Sequence, residues 1–249
     1  MIIIVAEPMK KILQIILTAL FCFSVQLLMA EQPDTALSVL AKKSWSENQS
    51  HRFEPNEGQL TDLNGKPVPF VLFKAEEEGL QVYITNTGIS YVFSEVVKEQ
   101  ENDSAKTINE HLHQYRMDAM LMNADIRKSS IELLEKAGED YKNYFKPQCP
   151  DGIYRVFDYR KIRIRNIYPG INWLLFFTDE GLKYNFEVMP GADASLIKIN
   201  FTGAEKIFVD AAGSLHLQCR MGTIAEQPPV SFQHGAEIKT KFLLNEKMN

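Results

Sequence analysis

The side chains best equipped for chemistry are few and scattered. His111 and His113 stand two apart, a spacing that puts both imidazoles on one side of a strand, where metal sites sometimes draw two ligands. Zinc needs three or four converging ligands. With only Glu110 and Asp118 nearby and no cysteine, the pair reads as solvated residues beside a loop. The acidic run Glu99 to Asp103 lacks the alternating Asp/Asn ligands and central glycine of a calcium loop, and reads as a solvated charge run. Asp158 with Asp179 or Glu187 could form the carboxylate pair of a glycoside hydrolase, but any acidic chain supplies such pairs and only geometry qualifies one. The nucleophile elbow Gly-x-Ser-x-Gly, a phosphate-cradling glycine loop and His-Glu-x-x-His are all missing. No catalytic, metal or cofactor site is therefore expected. The remaining ligand candidates are the aromatics Tyr159, Trp173 and Tyr184, with Tyr168 beside them. They could make a platform for a sugar, although strand-alternating aromatics are usually buried.

The elements that would position these residues are strands. Around Trp173 and Tyr184 the chain runs from Tyr168-Pro169-Gly170 through an apolar stretch to Phe177. It breaks at Thr178-Asp179-Glu180-Gly181, continues from Leu182 to Val188, and turns again at Pro190-Gly191. Two β-prone runs around a short glycine-bearing break predict a hairpin held between two sharp turns. On its second arm Leu182, Tyr184, Phe186 and Val188 alternate with polar residues, which gives one apolar face. Ile162 and Ile164 likewise alternate with Arg163 and Arg165. Further hairpins are expected from Leu80–Thr85 with Gly88–Phe93, and across Asp210–Gly213. Earlier, the dense Asn56, Gly58 and Gln59 mark a tight turn. Val97–Asn109 reads as a solvent loop, and Pro147–Gly152 as a turn. Residues 108–137 fit helical and strand spacing equally. Strands are preferred because both flanks are β-rich, with room for one short helix. Regularly spaced short strands imply an all-β fold, a β-sandwich-like domain or an open barrel of short antiparallel strands.

The first thirty residues differ. Lys10 and Lys11 precede an uncharged segment from Ile12 to Met29 that ends at Ala30. This is the pattern of a secretory signal peptide occupying residues 1–30, cut after Ala30, with translation starting at Met9; left uncut, it would be a membrane anchor. Residues 31–50 read as a flexible leader and 51–249 as the β-rich module. Removing residues 1–30 leaves 25 basic and 31 acidic side chains, a formal charge of −6. Such a domain suits neither nucleic acid nor an anionic membrane. In an oxidising compartment Cys149 and Cys219 could pair.

Several of these stretches together resemble the N-terminal domain that precedes SBBP-type β-propeller repeats in large secreted proteins of gliding, type IX-secreting bacteria. The matching residues are Phe53, Asn56, Gly58 and Gln59; Asn143-Tyr144-Phe145; Tyr159; the Tyr168-Pro169-Gly170 turn; Leu182 to Val188 with Pro190 and Gly191; and Asp210, Gly213 and Leu215. Two departures stand out. Asn172 replaces an acid usual after that turn, and the sequence stops after Leu244 where the family continues into another strand, which implies a truncated or split module. The resemblance implies a non-enzymatic structural or interaction module, exported to the cell surface or medium, or alternatively to the periplasm. Its partners would be adjacent propeller or surface modules. A glycan-binding module is the second reading, and a glycoside hydrolase the third.

Overall fold

The computed structural model describes residues 2–6, 13–18, 51–77, 80–100 and 108–245. The expected cut at Ala30, the leader 31–50 and acidic residues 101–103 lie outside them. The fold is all-β, as the spacing of the runs predicts, and among the described residues no sheet closes into a barrel.

An eight-stranded sheet runs in the order β18 (Thr240–Leu244), β1 (Ile2–Ala6), β12 (Lys198–Thr202), β7 (Ile108–Leu121), β6 (Gly88–Gln100), β5 (Leu80–Thr85), β4 (Val71–Glu77) and β3 (Glu54–Pro55). A seven-stranded sheet runs β17 (Ala236–Ile238), β16 (Val230–Gln233), β2 (Leu13–Thr18), β11 (Gly181–Val188), β10 (Ile171–Thr178), β9 (Cys149–Tyr168) and β8 (Ile131–Lys146). A third sheet holds β13 (Lys206–Val209), β14 (Leu215–Cys219) and β15 (Gly222–Glu226).

The period-two pattern decides which faces meet. Leu182, Tyr184, Phe186 and Val188 are buried, as are Ile162 and Ile164, and they join Val82, Ile84 and Tyr91 of the first sheet and Leu215, Leu217 and Ile224 of the third in one apolar core. Three sheets thus share one interior, a sandwich-like arrangement. The β10–β11 hairpin pairs from Ile171 with Val188 to Thr178 with Gly181. Its two outer turns lie side by side, the Met189 N–H donating to Gly170 O at 2.9 Å. Gly170 has φ +71°, and a Cβ there would stand 2.9 Å from the Ala192 Cβ. Both facts call for glycine.

Four expectations change. The stretch from Val97 is strand up to Gln100, and strand resumes at Ile108. Cross-strand pairing of β6 with β7 sustains an extended chain that polar composition alone does not signal. The turn expected over residues 147–152 tightens to Pro147–Gln148, because Cys149 already pairs with Lys146. The room left for one short helix is taken by single 3-10 turns, Lys128–Ser130 and Ala194–Leu196. Cys149 and Cys219 are both free thiols.

Residues 2–6 and 13–18, read above as part of an export leader, form strands within the two large sheets. They join the C-terminal strands β16 and β18 to the rest.

Candidate functional site

The expected turn at Asn56 is a junction rather than a free loop. Asn56 is buried; its Nδ2 donates to Val68 O at 3.0 Å and Val71 O at 2.8 Å, while its Oδ1 accepts from the Gly58 N–H at 3.0 Å. Gly58 has φ +117°, a conformation that side chains oppose. Gln59 is fully buried, and its Nε2 donates to Glu54 Oε1 at 2.9 Å and Pro55 O at 2.7 Å. An Asn56→Ala substitution leaves the Val71 carbonyl, buried in the turn, without its donor. The expected loss is about 2 kcal/mol of folding free energy, read as a lower urea midpoint with an unchanged slope.

This junction grips the β8–β9 hairpin, an arm whose two faces follow directly from alternation. Lys142, Tyr144 and Lys146 fall on one side of β8, and Tyr141, Asn143 and Phe145 on the other. The first face latches onto the turn. Lys142 Nζ donates to Glu54 Oε2 at 2.8 Å and to Asp158 Oδ2 at 3.0 Å, and the Tyr144 hydroxyl donates to Glu54 Oε1 at 2.7 Å. Lys146 Nζ and Gln148 Nε2 both donate to Gln59 O, at 3.2 and 2.8 Å. Burial alone would raise the Glu54 carboxyl. Hydrogen bonds from Lys142, Tyr144 and Gln59 outweigh it and hold the group below its ordinary value. Burial likewise works against the Lys142 ammonium, but Glu54 and then Asp158 keep it above its ordinary value. Burial, and then the bond to Glu54, push the Tyr144 phenol upward.

The opposite face is aromatic and open. Tyr141, Phe145 and Tyr154 are 52%, 68% and 59% exposed, with Leu133 and Leu134 also exposed nearer the base of β8. Tyr141 meets Phe157 edge to face at 5.8 Å, and Phe145 meets Tyr154 at 5.4 Å. The Arg155 guanidinium lies 5.5 and 5.6 Å from the Tyr141 and Phe157 rings, and Lys136 Nζ sits 3.6 Å over Phe157. Arg155 has φ +58°, and its N–H donates to Asn143 Oδ1 at 2.9 Å. That bulge changes the strand's parity and brings Tyr154 beside Phe145. The alternation of Tyr141, Asn143 and Phe145 against Lys142, Tyr144 and Lys146 was the sequence signal for this surface; its exposure was not predictable without the turn that the other face covers.

The sequence-derived candidates are distributed differently. Trp173 and Tyr184 are buried among Phe186 and the other core rings, and Tyr168 is buried with its hydroxyl donating to Met122 O at 2.9 Å. Tyr159 is half-buried and bridged to Phe53. The platform of Tyr159, Trp173 and Tyr184 is thus corrected: Trp173 and Tyr184 face the core, because their strand parity is that of Phe186 and Ile164. Pro169, Pro190 and Gly191 lie in the adjoining surface turns. The carboxylates stay apart: Asp158 binds Lys142, Glu187 Oε1 accepts from Arg163 Nη2 at 3.1 Å, and Asp179 is exposed in the β10–β11 turn. His111 and His113 are exposed on β7, and no group of three His, Cys, Asp or Glu able to hold a metal occurs among the described residues.

A concavity of about 520 Å³ lies on the outer face of β4 to β7, bordered by Leu63, Phe70, Tyr83, Ser90, Gln114 and Arg116. Phe70 is 44% exposed. Asp118 Oδ1 accepts from Ser90 Oγ at 2.5 Å and from Arg116 Nε at 2.8 Å, so the charge in its floor is already neutralised.

Fold and site define an all-β, sandwich-like module with a projecting aromatic arm latched to its N-terminal turn. The chain belongs to the family described as a domain of unknown function, DUF7948, whose model matches residues 53–248. No curated protein and no solved structure matches the chain.

Proposed function

We propose that the chain is a non-enzymatic interaction module of an exported protein and that its docking surface is the aromatic face of the β8–β9 arm. The observation that carries this reading is the exposure of Tyr141, Phe145 and Tyr154 as packed pairs on an arm whose other face is rigidly anchored. Exposed aromatics with arginine are the side chains that dominate binding energy at interfaces. The register of β8 shifts repeatedly between Leu133 and Lys146. Those shifts interrupt the backbone edge, which favours docking through side chains over addition of a strand. The resemblance to domains preceding SBBP-type propellers supplies the partner class, an adjoining propeller or surface module, and the apolar segment around Lys10 to Ala30 supports export. A hydrolytic acid needs a carboxyl held protonated near neutral pH. Glu54, which shares a cleft with Asp158, is held in the opposite direction, and Glu226, whose carboxyl is pushed up to about 7, is fully buried beyond the reach of a substrate; both support the non-enzymatic reading.

The test is a double substitution, Phe145→Ala with Tyr154→Ala. Thermal unfolding should stay within about 1 kcal/mol of the parent, since both rings are mostly in water. Pull-down of the adjoining propeller module of a relative should fall at least tenfold. Equal capture by both proteins rejects the arm as the docking surface. The second reading, glycan binding, rests on the groove holding Phe70 and Tyr83 beside Gln114 and Arg116. It requires a saturable oligosaccharide signal that Phe70→Ala abolishes.

A further inference from the structure

The fold is least self-contained at the positions of β1 and β2. Among the described residues, strand β18 ladders only with β1, and the β16–β17 pair reaches the second large sheet only through β2. The β2 position is filled from the apolar segment that the sequence marks as an export leader, and the β1 position from the residues ahead of Met9. Strand β2 runs antiparallel to both neighbours, from Lys183 opposite Thr18 to Val188 opposite Leu13 on one side, and from Val230 opposite Ile16 to Gln233 opposite Leu13 on the other. Sheet spacing places β11 and β16 about 10 Å apart, too far to bond to each other. Without β2 the gap is therefore a slot one strand wide, with unpaired backbone groups along both walls.

Each wall also carries a buried polar side chain with an unpaired atom. Asn185 on β11 and Ser231 on β16 are buried, and Asn185 Oδ1 and Ser231 Oγ have no hydrogen-bond partner among the described residues. Their register partners in β2 are Ile16 and Ile15. An isoleucine side chain carries no hydrogen-bond donor or acceptor.

We propose that this slot is a strand acceptor. Leu13–Thr18 fills it as an exchangeable placeholder, and after the leader leaves, an extended apolar strand of another polypeptide takes the position, antiparallel to both walls and carrying a Ser, Thr or Asn at one of its two central residues. Backbone bonding to the two walls supplies affinity, and the two unpaired polar side chains supply selectivity, as in recognition by strand addition. The proposal uses a different surface from the aromatic arm and stands or falls separately from it.

The experiment starts from the full chain with a protease site inserted between Asn48 and Gln49, folded and then cut. Cutting and dissociation of the leader should raise amide hydrogen exchange at least tenfold in residues 183–188 and 230–233. A labelled peptide of the sequence Leu13–Thr18 should then bind saturably and restore protection. The same peptide carrying Ile16→Ser should bind at least threefold more tightly, and one carrying Ile15→Pro should not bind. If the cut leader stays in place, displacement by excess peptide supports exchange, whereas failure to displace it marks a permanent strand and overturns the proposal. Full protection after the leader has gone, whether from residues 31–50 closing the slot or from the walls collapsing, also overturns it. Should the cut protein aggregate, rescue by the matched peptide but not by the proline peptide supports the acceptor, and aggregation with both rejects it.

Discussion

Trp173→Ala is expected to cost about 3–5 kcal/mol, the range for deleting a buried Trp from a core that cannot collapse around the gap. Trp173 is 1% exposed, lies opposite Phe186 and Ile164 on its two neighbouring strands, stacks on Phe186 at 6.5 Å and meets Tyr184 edge-on at 6.2 Å. Losing it removes from β10 the common partner of β9 and β11 in the middle of one sheet. Its Nε1 has no acceptor among the described residues, so the ring is held by packing and its polar atom opposes burial. Trp173→Phe should accordingly cost only about 1–2 kcal/mol, because it gives up volume but also an unpaired donor. Urea unfolding followed by far-UV circular dichroism measures both. A Phe variant as unstable as the Ala variant would show that the indole N–H has a partner and that packing is not the main term.

The second large effect is a dependence on pH. Glu226, at the end of β15, is fully buried; its Oε2 accepts from the Tyr184 hydroxyl at 3.0 Å and its Oε1 has no partner among the described residues. Burial pushes this carboxyl up from 4.5 to about 7, against a smaller lowering by the Tyr184 bond. The same burial, with Glu226 close by, pushes the Tyr184 phenol well up. The folded state therefore holds the Glu226 proton that the unfolded chain releases. Below pH 4.5 both states are protonated and no penalty arises. Between about 4.5 and 7 the fold loses stability as pH rises, and above that the penalty is constant at roughly 3 kcal/mol. Glu226→Gln keeps an acceptor for Tyr184 without an ionisable group. The difference between variant and parent should thus grow by roughly 3 kcal/mol in the variant's favour between pH 4.5 and 8. Glu54, whose carboxyl is lowered, acts with the opposite sign and in the acid range below its unfolded value, so it does not mask this window. A difference that stays flat with pH would place the Glu226 carboxylate in contact with water or a cation.

Much of the architecture was legible in the sequence because its signal is local. Alternation in Leu182–Val188 and Ile162–Arg165 specified both strand and buried face, and Asp179-Glu180 and Asp210–Gly213 specified hairpin turns through residues that tolerate turn geometry. Where alternation was weak, pairing decided instead. Residues 97–100 and 108–114 are mostly polar and show no sustained alternation, yet β6 and β7 bond to one another from Gly88 with Met120 to Gln100 with Ile108. The candidate site was half legible. Asn56, Gly58 and Gln59 announced a turn by type, but nothing local shows that Tyr144, Lys142 and Gln148, about ninety residues later, would close upon it.

The sequence by itself thus determined the strand class, the hairpins and the tight turns, since each depends on the conformational preferences of a few neighbouring residues. Only the tertiary structure decided which aromatics face inward. Trp173 and Phe145 are both aromatics on strands, and one is core while the other is surface because a sheet covers the first and the latch holds the second outward. Burial, and with it the proton held on Glu226, arises from which surfaces pack together, a relation between distant segments that no short stretch of chain encodes.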